Sequence, residues 1–395
     1  MSESGGDRHF LLVYLNTGNG HRAQAEVLRE AFFDYAPDTK VELLCGFDKK
    51  NWCGRLLVEN GYATSCNYIH GAWPLIYNLG EFRFFQTLVR HSVRLHTESY
   101  LKRVLEEKQV TDIVSFHFVM TPVLVDAIRS IRKKTGRNIR LTVITTDPFT
   151  GPSAWFYLKN QTYLVASPQF RDFAIRSGVP ADNVRIVPFL LNKKFSHPVD
   201  KDEMDFLRRK YGYRHDRRVV LLAGGGEGLP GTLKFVNQCV IHKAPFSVAV
   251  VCGRNKGLYR SLELVRKVAP WLDLHVYGFV DCMDSLVKLS DLVVSKAGTS
   301  TIMEIASQQK PIIISNYIYG QEKGNLEFVK ANGIGSFIRH SADIYAKINR
   351  IFASEESYGK ALAACRGLVI DTDVEKIVRY LLEGSSKDLS FSRKL

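Results

Sequence analysis

No two of the seven cysteines stand in a Cys-x-x-Cys spacing, and their number is odd. Cys45, Cys53, Cys66, Cys239, Cys252, Cys282 and Cys365 therefore suggest neither a zinc site nor a disulfide framework, and they read as reduced thiols of a cytoplasmic protein. No run approaches the roughly 18 consecutive apolar residues of a membrane span. The polar segment Met1 to Arg8 lacks the long apolar stretch of a secretory signal. Any contact with a membrane is then expected to be peripheral and from one side.

What the chain does have is length and positive charge. Its 395 residues suffice for two domains, and hydrophobic residues make up 45%, the balance of a globular protein. The formal net charge is +14. Such an excess favours anionic partners: phosphate-bearing substrates, nucleic acid or an acidic bilayer. The basic residues are dispersed, and no nucleic-acid-binding module is recognisable, so nucleic acid is not expected as a partner.

Short apolar runs alternate with longer amphipathic ones. Strands are predicted at His9 to Leu15, Val41 to Leu44, Thr111 to Phe116, Ile139 to Thr145 and Thr162 to Ala166. After a polar linker, Asn192 to Glu203, they resume at Arg218 to Ala223, Phe246 to Val251, Leu274 to Tyr277, Leu292 to Ser295 and Pro311 to Ser315. Helices are predicted at 22–33, 75–107 and 374–382. This rhythm predicts an α/β chain of two doubly wound parallel sheets. The predicted division is 1–195, 196–370, and a C-terminal helix and tail at 371–395. Ligands of such sheets bind beyond the carboxyl ends of the strands, and with two sheets the expected place is a cleft between them.

Three strand–glycine–helix junctions stand out. In the first, Gly18, Asn19, Gly20, His21 and Ala23 open a helix. Gly18, Gly20 and Ala23 fit a dinucleotide fingerprint, with Glu42 as ribose-binding acid, so an NAD(P)-dependent oxidoreductase is one alternative. The second is the cluster Gly224 to Gly228, where Gly225 and Gly226 leave backbone bare for a diphosphate. The third joins Lys296 and Gly298 to Thr299, Ser300 and Thr301, ahead of Glu304. A lysine, hydroxyls and a helix N-terminus make an anion cradle able to stabilise a diphosphate leaving group. Glu304, expected in the first helical turn, could take two ribose hydroxyls. Thr301-x-x-Glu304 equally reads as a capping box. Gln321, Glu322 and Asn325 are polar groups suited to sugar hydroxyls, or to an ordinary helix start. Asp200-Lys201-Asp202 lies in the linker and carries little weight as a metal motif.

The run Gly278-Phe279-Val280-Asp281, Ser290-Asp291, Lys296-Ala297-Gly298, Thr301, Glu304, Pro311 and Gly320 to Asn325 resembles the donor domain of the monogalactosyldiacylglycerol synthases and bacterial diacylglycerol glucosyltransferases, within glycosyltransferase family 28. Cys252-Gly253-Arg254-Asn255 and the loop at Gly18 to Ala23 resemble further elements of that family. The resemblance implies a GT-B fold, a UDP-sugar donor and inversion at the anomeric carbon without metal or other cofactor. It implies that Phe279 and the backbone of Val280 hold uracil, that Glu304 holds ribose, and that Thr299 to Thr301 hold the diphosphate. Gln321 and Glu322 would read the sugar, Arg254 and Asn255 would lie near the nucleotide, and His21 would face the acceptor hydroxyl. Asn16 stands where plant members carry an acid, and Asn19 where the family often has Gly.

For an inverting transfer His21 is the first candidate base, titrating near neutral pH, and Asp147 the second. His21 could instead cap its helix or bind phosphate. The acceptor region is expected at Gly18, Asn19 and Gly20, together with Trp73 and Tyr77. The latter two belong to an aromatic run (Trp52, Tyr62, Tyr68, Trp73, Tyr77, Phe82, Phe84, Phe85) interleaved with Arg83, Arg90 and Arg94. Aromatics beside cations suit an anionic bilayer surface, and they also suit a buried helix with a basic edge. The expected acceptor is diacylglycerol and the donor a UDP-hexose. A nucleotide-sugar 2-epimerase of the same fold is a further alternative.

Overall fold

The computed structural model describes residues 8–17, 20–48, 78 and 82–383. The chain divides into two compact units. One takes Met1–Asn192, Tyr319–Gln321 and Asp371–Leu395; the other takes Lys193–Ile318 and Glu322–Ile370. Residues from Asp371 onward thus group with the first unit instead of standing apart.

In the first unit the strands are β1 (His9–Tyr14), β2 (Lys40–Cys45), β3 (Asp112–Ser115), β4 (Arg140–Ile144), β5 (Thr162–Val165) and β6 (Val184–Ile186). They form one parallel sheet in the order β2-β1-β3-β4-β5-β6. β3 is buried at every position, as parallel strands covered on both faces must be. On one face the helices Gly20–Tyr35 and Glu375–Glu383 pack together, burying Ala25, Leu28 and Phe32 against Ile377, Val378 and Leu381. Arg8 fixes the end of the terminal helix. Its guanidinium donates to the carbonyls of Leu381, at 2.8 Å, and Leu382, and to the Asp112 carboxylate at 2.7 Å. A cation at a helix C-terminus meets the unpaired carbonyls and the negative end of the dipole.

The second unit contains β7 (Val219–Ala223), β8 (Ser247–Val251), β9 (Leu274–Tyr277), β10 (Leu292–Lys296), β11 (Ile312–Asn316) and β12 (Gly335–Phe337). Their order is β12-β11-β10-β7-β8-β9, again all parallel. Strand order reverses between β7 and β10, and in the first unit between β1 and β3. Doubly wound sheets bind ligands at such crevices, outside the strands' carboxyl ends.

The linker has local reasons for its course. Gln308, buried in the second unit, donates to the carbonyls of Phe195 (3.0 Å) and His197 (2.8 Å) and accepts from the Val199 amide (3.1 Å). Asp200 caps the helix Lys201–Lys210 by accepting from the Glu203 amide at 2.8 Å.

Candidate functional site

In the second unit four strand ends carry the polar groups of interest. After β7 the chain turns through Gly225 and Gly228, both at positive φ. After β8 it turns at Gly253, also at positive φ, and the Arg254 amide donates to the Gly226 carbonyl at 2.7 Å. A Cβ on Gly253 would come within 2.2 Å of that carbonyl oxygen, so only glycine lets the two loops meet. The Arg254 guanidinium lies 4.9 Å from the centre of the exposed Phe279 ring, which follows β9. Asn255 is occupied differently: its side chain accepts from the Leu258 amide at 2.9 Å and caps the helix Lys256–Val268.

Lys296 is the last residue of β10, and its ammonium sits 2.5 Å from Glu322 Oε1. Glu322 Oε2 accepts from the Ile318 amide at 2.8 Å. Glu322 is buried. A carboxylate engaged on both oxygens positions the lysine and keeps one acceptor site on each oxygen. Asn325 is buried too. It donates to the Ala297 carbonyl at 2.8 Å and to the Thr299 hydroxyl at 3.1 Å, bracing the loop between β10 and the next helix. Gln321 groups with the first unit, where its carbonyl accepts from the Thr150 hydroxyl at 3.1 Å.

That helix is Thr299–Ser307, with Gly298 as an N-cap that makes no side-chain cap bond. Thr301 is therefore the third helical residue, and no capping box forms. Glu304 falls in the second turn, one turn later than the sequence pattern suggests. Among the described residues the amides of Thr299, Ser300 and Thr301 have no acceptor, which leaves a helix N-terminus open to an anion beside the Lys296 ammonium. A Cβ on Gly298 would stand 3.2 Å from Lys296 Nζ, so glycine keeps that corner open.

Glu304 makes no side-chain hydrogen bond or ion pair among the described residues. Burial pushes its pKa up to about 7, and the nearby Asp284 adds to the shift. A carboxylate held in that condition lacks donors, and a vicinal diol would supply them.

Ser290 and Asp291 sit at the opposite, amino end of β10. Asp291 accepts from Arg208 Nη2 and from the Val219 amide, both at 2.6 Å, and from the Tyr358 hydroxyl at 3.2 Å. This is a buried, fully partnered carboxylate at the foot of the sheet, and its work is structural.

The first unit has its own cluster at the β1–β3 crevice. Gly20 opens the helix bearing His21. Gly18, Asn19, Trp73 and Tyr77, with Trp52, Tyr62 and Tyr68, lie outside the described residues. His21 is buried. Its Nδ1 lies 2.9 Å from the Phe116 carbonyl and 2.8 Å from the Thr146 hydroxyl. A carbonyl can only accept, so Nδ1 carries the proton and Nε2 is the bare nitrogen. Burial lowers the pKa to about 4. The near-neutral titration expected of this residue is thus corrected, because the enclosed site disfavours the imidazolium. His21 stays neutral at physiological pH.

Beside it is His117, which sequence reasoning passed over. The two rings are 4.5 Å apart. His117 Nδ1 accepts from the Val119 amide at 3.2 Å, so Nε2 carries the proton and donates to the Thr17 hydroxyl at 2.8 Å. Burial and the neighbouring His21 hold its pKa well below the usual histidine range. The signal available was its place, immediately beyond the strand that flanks β1. Asp147 is buried and accepts from Trp155 Nε1 at 2.8 Å.

A titration follows from the lowered pKa. The unfolded chain protonates His21 near pH 6.5 and the native chain only near 4. Native stability is therefore complete above about pH 6.5 and falls as pH drops from there toward 4. The ring resonances of His21 are expected to show a midpoint near 4 by NMR; a midpoint near 6.5 would contradict the buried geometry.

Glu42 does not support dinucleotide binding. It lies mid-strand in β2, paired with Leu11 of β1, and its carboxylate is held by Lys108 at 2.5 Å and lowered in pKa chiefly by that bond. A ribose-binding acid belongs at the strand's carboxyl end.

Residues 219–342 match the family model described as "Glycosyltransferase family 28 C-terminal domain", and residues 21–187 match "Monogalactosyldiacylglycerol (MGDG) synthase". A protein from Glycine max named "Probable monogalactosyldiacylglycerol synthase, chloroplastic" is 30% identical over 355 residues, covering 86% of this chain and 64% of the relative. The chain thus spans slightly less than two thirds of the plant relative's length. A "Processive diacylglycerol beta-glucosyltransferase" of Bacillus thuringiensis is 25% identical over 281 residues, 71% of this chain and 70% of that one. The solved structure of Medicago truncatula UGT71G1 complexed with UDP-glucose superposes with a TM-score of 0.60 at 14% identity, covering 96% of this chain and 99% of the other. That likeness is one of fold: two Rossmann-like units in tandem, the GT-B architecture.

Proposed function

From the premise that this chain belongs with the glycosyltransferases of family 28, we propose that it moves a hexose, glucose or galactose, from a UDP-sugar to diacylglycerol, with inversion at the anomeric carbon and no bound metal. The observation that carries the donor half is the β10–helix junction. The open N-terminus at Thr299 to Thr301 and the Lys296 ammonium supply positive field for a diphosphate, and Glu304 waits unpartnered for a diol. Phe279 and the backbone of Val280 take the uracil, with Arg254 beside the ring.

In the transfer, the acceptor oxygen bonds to the anomeric carbon as the bond from that carbon to the diphosphate oxygen breaks. UDP leaves with the electron pair, and the acceptor proton passes to His21 Nε2. Burial keeps the ring neutral, so Nε2 holds no competing proton when the acceptor hydroxyl arrives. Asp147, tied to the Trp155 indole, orients the neighbourhood.

The lipid acceptor is supported by the names of the relatives and by the helix Arg83–Glu107. There Phe84, Leu88 and Leu95 are 74%, 56% and 71% exposed, and their spacing puts them on one helical stripe. Among the described residues no helix is long and apolar enough to cross a membrane. An exposed apolar stripe on a basic protein suits the surface of an anionic bilayer.

The donor half is tested by binding. Calorimetry should show UDP binding the wild type more tightly than 2′-deoxy-UDP, by about tenfold, or about 1.4 kcal/mol. Glu304→Ala should abolish the difference by weakening UDP alone. A Glu304→Ala protein that still discriminates the two ligands would remove Glu304 from the ribose.

A further inference from the structure

In the second unit the helix Lys256–Val268 joins β8 to the edge strand β9. Its inner face packs as expected: Leu262 is buried, and Leu258 and Val265 lie against the same core. Its outer face breaks the pattern. Leu264 and Val268 are 62% and 64% exposed, and Trp271, three residues past the helix, is 51% exposed. Spacings of four and three along the chain set the two aliphatic side chains in one stripe that runs toward the indole. Arg260, four residues before Leu264, and Lys267, three after it, share that stripe and are exposed as well.

The charge on this face has a single sign. The one acid of the helix, Glu263, is only partly exposed and is held by Arg266 at 2.7 Å. Lys256, Arg260 and Lys267 make no ion pair among the described residues. Apolar side chains between unpaired cations, with an indole at the end, match an interface that is apolar within and anionic at its rim. A second copy packed on this face about a twofold axis would set Arg260 and Lys267 against the same cations of its partner, which disfavours it. Nucleic acid would meet the cations and gain nothing from Leu264 and Val268. The surface of an anionic bilayer uses both.

We propose that the outer face of the helix Lys256–Val268, with Trp271, docks on an anionic lipid bilayer. The indole sits at headgroup depth, and Arg260 and Lys267 meet lipid phosphates. The inference extends the membrane reading made above for the helix Arg83–Glu107 to the second unit, and it does not depend on which lipid accepts the sugar. The face is separate from the donor residues: Trp271 precedes the amino end of β9, whereas Phe279 follows its carboxyl end. Docking here leaves the donor site unobstructed.

The test uses the full chain and vesicles of phosphatidylcholine, with and without 30 mol% phosphatidylglycerol, at low salt. Three variants are compared: Leu264→Asp with Val268→Asp, Arg260→Gln with Lys267→Gln, and, as reference for the first unit, Leu88→Asp with Leu95→Asp. All six positions are exposed, so each variant is expected to fold. Binding is read by sedimentation. Contact is read by quenching of tryptophan fluorescence with brominated phosphatidylcholine in the vesicles, taking the part that Trp271→Phe removes.

The wild type is expected to bind the anionic vesicles and to show Trp271-dependent quenching. Each cation removed should weaken binding about fivefold, so Arg260→Gln with Lys267→Gln loses roughly 25-fold. Leu264→Asp with Val268→Asp should abolish the Trp271-dependent quenching, while Leu88→Asp with Leu95→Asp keeps it in whatever fraction is bound. Turnover of UDP-sugar in detergent micelles should stay within twofold in both second-unit variants. Wild type that binds without Trp271-dependent quenching, and second-unit variants that bind equally well, would overturn the proposal and leave the first-unit membrane reading standing. Equal binding to neutral vesicles would overturn the anionic class of partner. A dimer that Leu264→Asp with Val268→Asp dissociates would assign the face to a second copy instead. No binding to either vesicle would overturn both membrane readings, and the micelle assay would still report on the transferase.

Discussion

Replacing Lys296 by Ala is expected to lower kcat/KM for the nucleotide-sugar donor about 10²–10³-fold, the loss typical of removing one preorganised group that meets developing negative charge. The ammonium stands at the end of β10 beside three open helix amides, so in the proposed donor site both would meet the same diphosphate. Its 2.5 Å pairing with Glu322 offers a competing account, in which the lysine matters only as partner to a buried carboxylate. The two separate in a double variant. Lys296→Ala with Glu322→Gln removes the stranded charge and should recover thermal stability, while the defect in kcat/KM persists. Recovery of activity along with stability would show that Lys296 has no part in the chemistry.

His21→Ala is expected to lower kcat about 10²–10⁴-fold at saturating donor and acceptor, the range for loss of a positioned base. The geometry sharpens this. The Phe116 carbonyl fixes the proton on Nδ1, so only Nε2 can accept, and a pKa near 4 keeps it free of a competing proton across the working range. The activity should therefore show no acid limb from His21 above about pH 5. UDP affinity, which the proposed donor site assigns to the second unit, should be unchanged in the variant and reports that the protein is folded. Near-normal turnover of His21→Ala would remove it as the base.

The sequence made the buried strands legible where their apolar runs are unbroken: Val219–Ala223 and the three isoleucines that open Ile312–Asn316 read as strands directly. β6 and β12 escaped notice. Each has three residues, at a sheet edge where only one side is paired, and so too short a run to stand out. The terminal helix was legible from its apolar spacing, but its partner was not. Ile377 and Leu381 say that a face is buried, and only the fold says that it lies against Leu28 and Phe32.

In the candidate site, residue types were more legible than their duties. Lys296, Gly298 and Glu304 were evident from their pattern. The pattern could not show that Gly298, with no side chain to cap with, starts the helix two residues before Thr301 and leaves its amides open. Glu322 and Asn325 look like sugar readers in sequence because carboxylates and amides do read sugars. Burial turns both inward, one onto Lys296 and the other onto the Ala297 carbonyl. His117 was missed because a single histidine after an apolar strand looks like core, and only the adjacency of β3 to β1 brings it to His21.

The central claim is that the chain glycosylates diacylglycerol from a UDP-hexose. It is tested most directly by incubating the protein with radiolabelled UDP-glucose or UDP-galactose, each separately, and diacylglycerol in mixed micelles, then separating the lipids by chromatography. The account predicts a labelled glycosyldiacylglycerol with at least one donor, absent when diacylglycerol is omitted. No labelled lipid with either donor, from protein that binds UDP, would contradict it.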